Sequence, residues 1–222
     1  ARAWLAERDI EAVRGPVNPS LNYECGLLID GFDEAPWFMM SYNKPYYGQL
    51  IEDYGFRTAQ NLYAFWGHVD MLDEISKRLY SLSRNISDRF QLKCRTFDVK
   101  RFDEEIATFL NIYNKSLVST WGFVPMSSSE VKKQAVGMKQ MIVPELTTMA
   151  EVDGKPIGTM FGLLDYNPRI KEIDGRLLPF GFLKLLRKRK ELTKVRLIST
   201  NVLPEYQSWG IGLALVSRLV PD

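Results

Sequence analysis

The chain has 222 residues, long for one ordinary domain and short for two. Apolar residues make up 45% and charged residues 25%, which excludes a disordered chain, and a formal charge of +2 is too balanced for a general nucleic-acid or membrane-surface binder. Cys25 and Cys94 are far apart and His68 is the lone histidine, which excludes a disulfide framework, a Cys-rich zinc site and His-pair metal motifs, so no metal is expected.

The chain opens Ala-Arg-Ala without an initiator Met or a signal-peptide pattern, and no apolar run reaches the roughly 18 residues of a membrane span. These features predict a soluble, cytoplasmic protein, and either a processed start or a piece of something longer. Ala1–Glu11 reads as a helix already under way. Glu11–Val17 reads as a brief strand stopped by Pro16, Asn18 and Pro19, and Tyr23–Ile29 as a short apolar segment turned by Gly31-Phe-Asp33. After the aromatic stretch Pro36–Tyr42, Asn43-Lys-Pro45 starts a helix that continues over Tyr46–Tyr54 and stops at Gly55. Arg57–Gly67 alternates as a strand does, with Leu62, Ala64 and Trp66 on one face.

Val69, Leu72, Ile75, Leu79, Leu82 and Ile86 then recur at spacings of three and four, the stripe of an amphipathic helix. A connector between two domains and a helix docked on one core fit this stripe equally well. From Leu92 the pattern restarts: strand Leu92–Phe97, helix Arg101–Val118, then the loop Ser119–Met126 and a second helix capped by Ser127–Ser129 with Glu130 in its first turn. Leu146–Glu151 and Ile157–Asp165 are strands joined through Asp153-Gly154, a strong hairpin signal. Strand Lys194–Val202 and a helix from about Gly210 close the chain. The order is that of an α+β (or α/β) fold on a mixed, mostly antiparallel sheet flanked by helices.

The chemistry-bearing segment is Asn201-Val-Leu-Pro-Glu-Tyr-Gln-Ser-Trp-Gly-Ile-Gly-Leu-Ala-Leu215. A strand ends, two glycines turn the chain, and an apolar helix begins. Backbone N–H groups at such a helix start attract an anion, most simply a pyrophosphate. Competing motifs fit less well: a dinucleotide fingerprint needs a small residue where Leu215 stands, and neither a P-loop nor a G-x-S-x-G occurs. A plain strand–helix turn would use the same two glycines.

Val202-x-x-x-x-Gln207-x-x-Gly210-x-Gly212, preceded by Leu203-Pro-Glu-Tyr206, resembles the acetyl-CoA-binding signature of the GCN5-related N-acetyltransferases, the GNAT superfamily. Upstream, Asn43-Lys-Pro-Tyr-Tyr-Gly-Gln-Leu-Ile-Glu-Asp-Tyr-Gly-Phe56 is similar to the later part of that fold, an Asn followed by a helix ending in Gly-Phe. The resemblance is to a tandem GNAT protein met as an internal fragment with two partial copies. Residues 1–67 would be the end of a first domain, 68–91 a connecting helix, and 92–222 the beginning of a second.

The resemblance implies acetyl-CoA as cosubstrate and transfer of its acetyl group to an amine acceptor. Val202, Leu203, Gln207, Ser208, Trp209, Gly210, Ile211 and Gly212 would hold it, with the pantetheine arm lying along Lys194–Val202 as an added strand and the acetyl carbonyl polarised by a backbone N–H near Leu203. Glu205, Glu151 and Asp165 are the candidate general bases, though each also fits a solvated surface carboxylate. The tyrosine that commonly serves as the family's general acid is replaced by Ile51 in the first copy. Trp121 and Phe123 would wall the acceptor site or plug the sheet.

The acceptor is a small molecule or a peptide amine, with neither a nucleic-acid nor a membrane partner expected. Pro179–Lys194 nevertheless carries six basic residues against one acidic, interleaved with Phe180, Phe182, Leu183, Leu185 and Leu186. A solvated helix face explains it as readily as contact with an anionic lipid, a nucleic acid or a CoA phosphate. The competing reading of the whole is a catalytically silent GNAT-like module that binds acyl-CoA or a partner.

Overall fold

Asp153 and Gly154 both take positive φ, +49° and +72°, as a two-residue hairpin turn with the twist of its flanking strands requires. This turn is the pivot of the structure, a computed structural model that describes residues 2–18, 20–187 and 191–219. The chain forms two compact units, residues 1–65 and 66–222.

In the first unit, α1 (Arg2–Ala6) is shorter than the expected Ala1–Glu11 helix. Asp9 adopts φ +55° and Ile10 N–H donates to the Leu5 carbonyl, a left-handed cap that closes the helix early. The expected strand Glu11–Val17 reduces to β1 (Val17–Asn18), which pairs antiparallel with β2 (Glu24–Cys25) from the apolar segment Tyr23–Ile29, Val17 opposite Cys25. The expected strand Arg57–Gly67 is irregular. Alternating side chains make a strand only where a neighbour accepts its ladder, and no described strand pairs with this segment. The helix between these segments does form: α2 (Tyr47–Asp53) is followed by Gly55 at φ +99°, as read from the sequence. Ahead of it, the buried Asn43 carboxamide bridges Leu28, accepting from its N–H (2.7 Å) and donating to its carbonyl (3.2 Å).

The second unit holds a four-stranded antiparallel sheet ordered β3-β4-β5-β6, with β3 Lys93–Thr96, β4 Thr147–Val152, β5 Lys155–Leu164 and β6 Val195–Val202. One face carries Met149, Thr159, Phe161 and Asn201 and is covered by α4 (Phe102–Ser116), against which α5 (Ser128–Met138) packs. Within the expected cap Ser127–Ser129, it is Ser127 that caps α5, and it does so in a reciprocal capping box with Glu130. The other face carries Ala150, Met160 and Val202, which form a core with Leu92, Ile157 and Ile211, Ala214 and Leu215 of α8 (Ile211–Ser217).

Helix α3 (Asp73–Phe90) follows a 3-10 turn at Val69–Leu72 and packs on α8. The side chains of Val69, Leu72 and Ile75 lie outside the described residues. Beyond them the half-buried positions are Leu79, Tyr80, Ser83, Ile86, Ser87 and Phe90, whereas Leu82, expected inward, is exposed. The helix is rotated because Ser83 and Phe90 have specific partners: Ser217 Oγ donates to Ser83 Oγ (2.9 Å), and Phe90 stacks on Trp209 with centroids 4.1 Å apart. Gln91 at φ +52° ends α3 and sends the chain into β3.

Between β5 and β6 run two short helices, α6 (Asn167–Glu172) and α7 (Gly181–Leu186). Of the basic run Arg187–Lys190, residues 188–190 lie outside the described residues.

Candidate functional site

Strand β6 stands at one edge of the sheet, so half of its backbone donors and acceptors face away from β5. Its register steps from Phe161 opposite Ser199 to Gly162 opposite Leu197, which leaves Ile198 as an extra, bulged residue. This bulge was not visible in the sequence, because nothing in Leu197-Ile-Ser199 distinguishes a bulged residue from a regular one.

From Val202 the chain enters a 3-10 turn at Pro204–Trp209, and Gly210 at φ +77° delivers it into α8. Glycine is needed at 210 for the left-handed backbone, and a Cβ there would also meet the Ile86 Cδ1 methyl at 2.9 Å, a side-chain tip that would have to shift. Gly212 differs: a Cβ there would find only Thr200 Cγ2, at an ordinary 3.7 Å. The first amides of a helix have no intrahelical acceptor and present their positive ends outward, so this turn is chemically suited to an anion.

The side chains of the motif have duties of their own. Val202 and Ile211 are core, and Leu203 N–H donates to the Ile157 carbonyl (2.9 Å). Gln207 Nε2 donates to the carbonyls of Val202 (3.0 Å) and Ser116 (3.3 Å), fastening the turn to β6 and to the end of α4. Trp209 is held between Phe90 and Tyr206. Ser208 and the backbone of the glycines are what the motif leaves for a ligand.

Beside the turn lies a cleft of about 430 Å³ lined by Leu82, Asn85, Ile86, Arg89, Phe90, Ser208 and Trp209. Arg89 and Asn85 were missed in the sequence, since the helical stripe highlights apolar positions and these polar ones gain meaning only when α3 docks beside the turn. Arg89 is exposed, with its guanidinium 5.0 Å from the Phe90 ring centroid.

The three candidate bases are dispersed. Glu151 is bound to Arg95 Nε (2.7 Å), and Arg95 also donates to the buried Glu105 (2.9 Å), a carboxylate–guanidinium–carboxylate set joining β3, β4 and α4. These hydrogen bonds raise the Arg95 pKa, that of Glu105 foremost, against the opposing effect of burial. Asp165 is buried and accepts from Asn167 N–H (3.2 Å) at the start of α6. Glu205 is exposed in the 3-10 turn that leads to Gly210.

Trp121 is exposed, while Phe123 meets Tyr113 edge-on at 5.7 Å and ends an aromatic column that continues through Phe109 to Phe161 on the sheet. Beneath α4, Thr147 Oγ1, Thr159 Oγ1, Ser199 Oγ and Asn201 Nδ2 are buried without a hydrogen-bond partner, on one face of the sheet. Among the described residues no three metal-ligating side chains converge, and no helix is long and apolar enough to cross a membrane.

No family model matches the chain. It is 32% identical over 222 residues to Protein YghO of Escherichia coli (strain K12), covering 99% of this chain and 56% of that protein. It is 35% identical over 191 residues to Bacterial ceramide synthase of Caulobacter vibrioides (strain NA1000 / CB15N), covering 86% of this chain and 49% of that protein. The chain thus spans about half the length of the curated relatives it matches, and its similarity reaches from the first unit through the edge strand and glycine turn to α8.

Proposed function

We propose that this chain is the donor-binding part of an acyl-CoA-dependent N-acyltransferase, which moves an acyl group from a thioester to an amine. The observation that carries the reading is one junction: an edge strand with a bulge, β6, runs directly into a glycine turn at the start of α8. An extended pantetheine arm, which carries amide groups, can add to such an edge as a strand would. The pyrophosphate would then meet the amides around Gly210 and Gly212, with Ser208 and Arg89 as polar and cationic neighbours.

The acetyl group is the smallest donor consistent with this scheme. The ceramide synthase relative extends the donor class to longer acyl chains and the acceptor class to lipid amines, since a ceramide is the amide of a fatty acid and a sphingoid amine. The bulge at Ile198 re-aims backbone groups midway along β6, a suitable place for an N–H that polarises the thioester carbonyl. Glu205 lies at the pyrophosphate end of this scheme, away from the thioester, and Glu151 and Asp165 have the partners named above, so none of the three is assigned as the general base. The GNAT-like signature and element order support two partial copies: residues 1–67 ending one, 68–91 connecting, and 92–222 beginning the other.

Gly212 separates the ligand role from the packing role. Gly212→Ala fits the fold and raises helix propensity, so the protein stays folded and keeps acyl-CoA binding. Gly212→Glu sets bulk and negative charge against the pyrophosphate and weakens binding at least about tenfold, the loss of roughly one charge-assisted contact. Calorimetry of the full-length protein with acetyl-CoA and palmitoyl-CoA reads both. Absence of heat for either donor with the wild type would overturn the reading. Binding without turnover on any amine would favour the catalytically silent module.

A further inference from the structure

Between Leu164 and Val195 the chain leaves the sheet on an excursion that is anchored at its base and exposed at its tip. At the base, Tyr166 and Ile173 are buried, the Tyr166 hydroxyl donates to the Met141 carbonyl (3.4 Å), and Arg169 joins Glu172 to Glu191 on the return path. At the tip, Leu177, Leu178, Phe180, Phe182 and Leu183 are exposed, Leu178 by 80% and Phe180 by 68%. The tip has a built shape. Phe182 N–H donates to the Leu177 carbonyl (2.9 Å), and a Cβ at Gly181 would stand 1.8 Å from the Arg176 carbonyl oxygen, so a side chain at this position is excluded.

Cations surround the apolar residues. Arg176, Lys184 and Arg187 are exposed beside them, and the sequence continues Lys188-Arg189-Lys190. We propose that this tip docks on an anionic lipid surface, its Leu and Phe side chains entering the headgroup boundary and its cations pairing with the headgroups. A nucleic acid would engage the cations and leave the apolar side chains in water. An anionic bilayer is complementary to both. The near-neutral charge of the whole chain conceals this, because it averages a basic tip with an acidic remainder.

The purpose of the docking rests on the acyltransferase reading. A donor lying along β6 with its pyrophosphate at the glycine turn has its acyl end directed back toward Val195, where the excursion rejoins the sheet. Eight residues of strand span about 26 Å, so the tip and the pyrophosphate belong to opposite ends of the bound donor. The acyl end is the one brought to the membrane, and the acceptor class becomes an amine presented by a lipid at that surface.

The test is co-sedimentation of the full-length protein with phosphatidylcholine vesicles and with vesicles of phosphatidylcholine and phosphatidylglycerol in a roughly 7:3 ratio. Acyl-CoA binding is measured in parallel by calorimetry. The wild type should partition onto anionic vesicles about tenfold more strongly than onto neutral ones and be released by about 0.5 M salt. Leu178→Ser with Phe180→Ser, and separately Lys184→Glu with Arg187→Glu, should each lower partitioning about tenfold while circular dichroism and acyl-CoA binding stay as in the wild type. Wild-type protein that binds acyl-CoA yet ignores anionic vesicles overturns the proposal, as do variants that partition like the wild type or a patch engaged by RNA alone. A change of oligomeric mass in the Leu178/Phe180 variant with vesicle binding retained assigns the patch to a protein contact and likewise overturns it. Vesicle binding by a protein that takes up no acyl-CoA upholds the docking surface and removes the acyltransferase reading instead.

Discussion

Ile86 of α3 packs against the backbone of Gly210 so closely that a Cβ at position 210 would stand 2.9 Å from Ile86 Cδ1. The turn proposed to hold the donor is therefore also the seat of a helix–helix contact, and the two roles respond differently to substitution. Gly210→Ala combines a left-handed alanine with this overlap and should cost about 2–3 kcal/mol in urea unfolding. Ile86→Ala in the same chain should recover part of that loss, because it removes the overlap and leaves the backbone strain. A double-mutant cycle with additive costs would show that the contact does not form.

Gln207 belongs to the ligand signature by sequence but acts through two carbonyls. Gln207→Ala deletes its hydrogen bonds to Val202 and Ser116 and should destabilise the second unit by about 1–2 kcal/mol. Any loss of acyl-CoA affinity in that variant should accompany a loosened turn, read as faster amide exchange over residues 207–212. Weakened binding with unchanged exchange would show direct contact with the donor instead.

The Arg95 set makes a graded prediction. Glu105 is buried while Arg95 is partly exposed, so Glu105→Ala removes the buried partner of the set and should cost about 2 kcal/mol. Glu151 is more accessible, and Glu151→Ala should cost about 1 kcal/mol. Equal losses in thermal or urea unfolding would contradict this ordering. Turnover should survive Glu205→Gln, because that carboxylate lies at the pyrophosphate end of the proposed donor.

Burial pushes the Cys94 thiol above its ordinary range, opposed by the nearby Arg218 cation, and burial likewise raises the Tyr113 phenol. Both groups are neutral when protonated, and the fold favours that form. In the unfolded chain they release protons near their ordinary values, about pH 8.5 for the thiol and about 10 for the phenol, while the folded chain still retains them. Fewer protons on the unfolded chain means that stability falls as pH rises through this window. Cys94→Ala and Tyr113→Phe should each flatten the alkaline decline in melting temperature between about pH 8.5 and 11.

The elements that proved readable are those whose signal is local. The Asp153-Gly154 turn, the serine cap of α5 and the Gly55 stop each depend on a few adjacent residues with defined backbone preferences, and all three formed where expected. The strands expected at Glu11–Val17 and Arg57–Gly67 failed for the complementary reason. Alternation describes which face a strand would show, but the strand itself exists only through a partner that may lie far along the chain.

The candidate site divides along the same line. The sequence by itself determined the glycine turn and the antiparallel α+β order, because backbone conformations that only glycine tolerates and short-range periodicity are written residue by residue. Only the tertiary structure decided which side chains remain for chemistry. It committed Glu151 to Arg95, Gln207 to two carbonyls and Trp209 to Phe90, brought Arg89 beside the turn, and placed an extra residue, Ile198, in the edge strand. Each of these depends on contacts between residues far apart in sequence, or on a strand register that no local preference sets, and packing alone settles them.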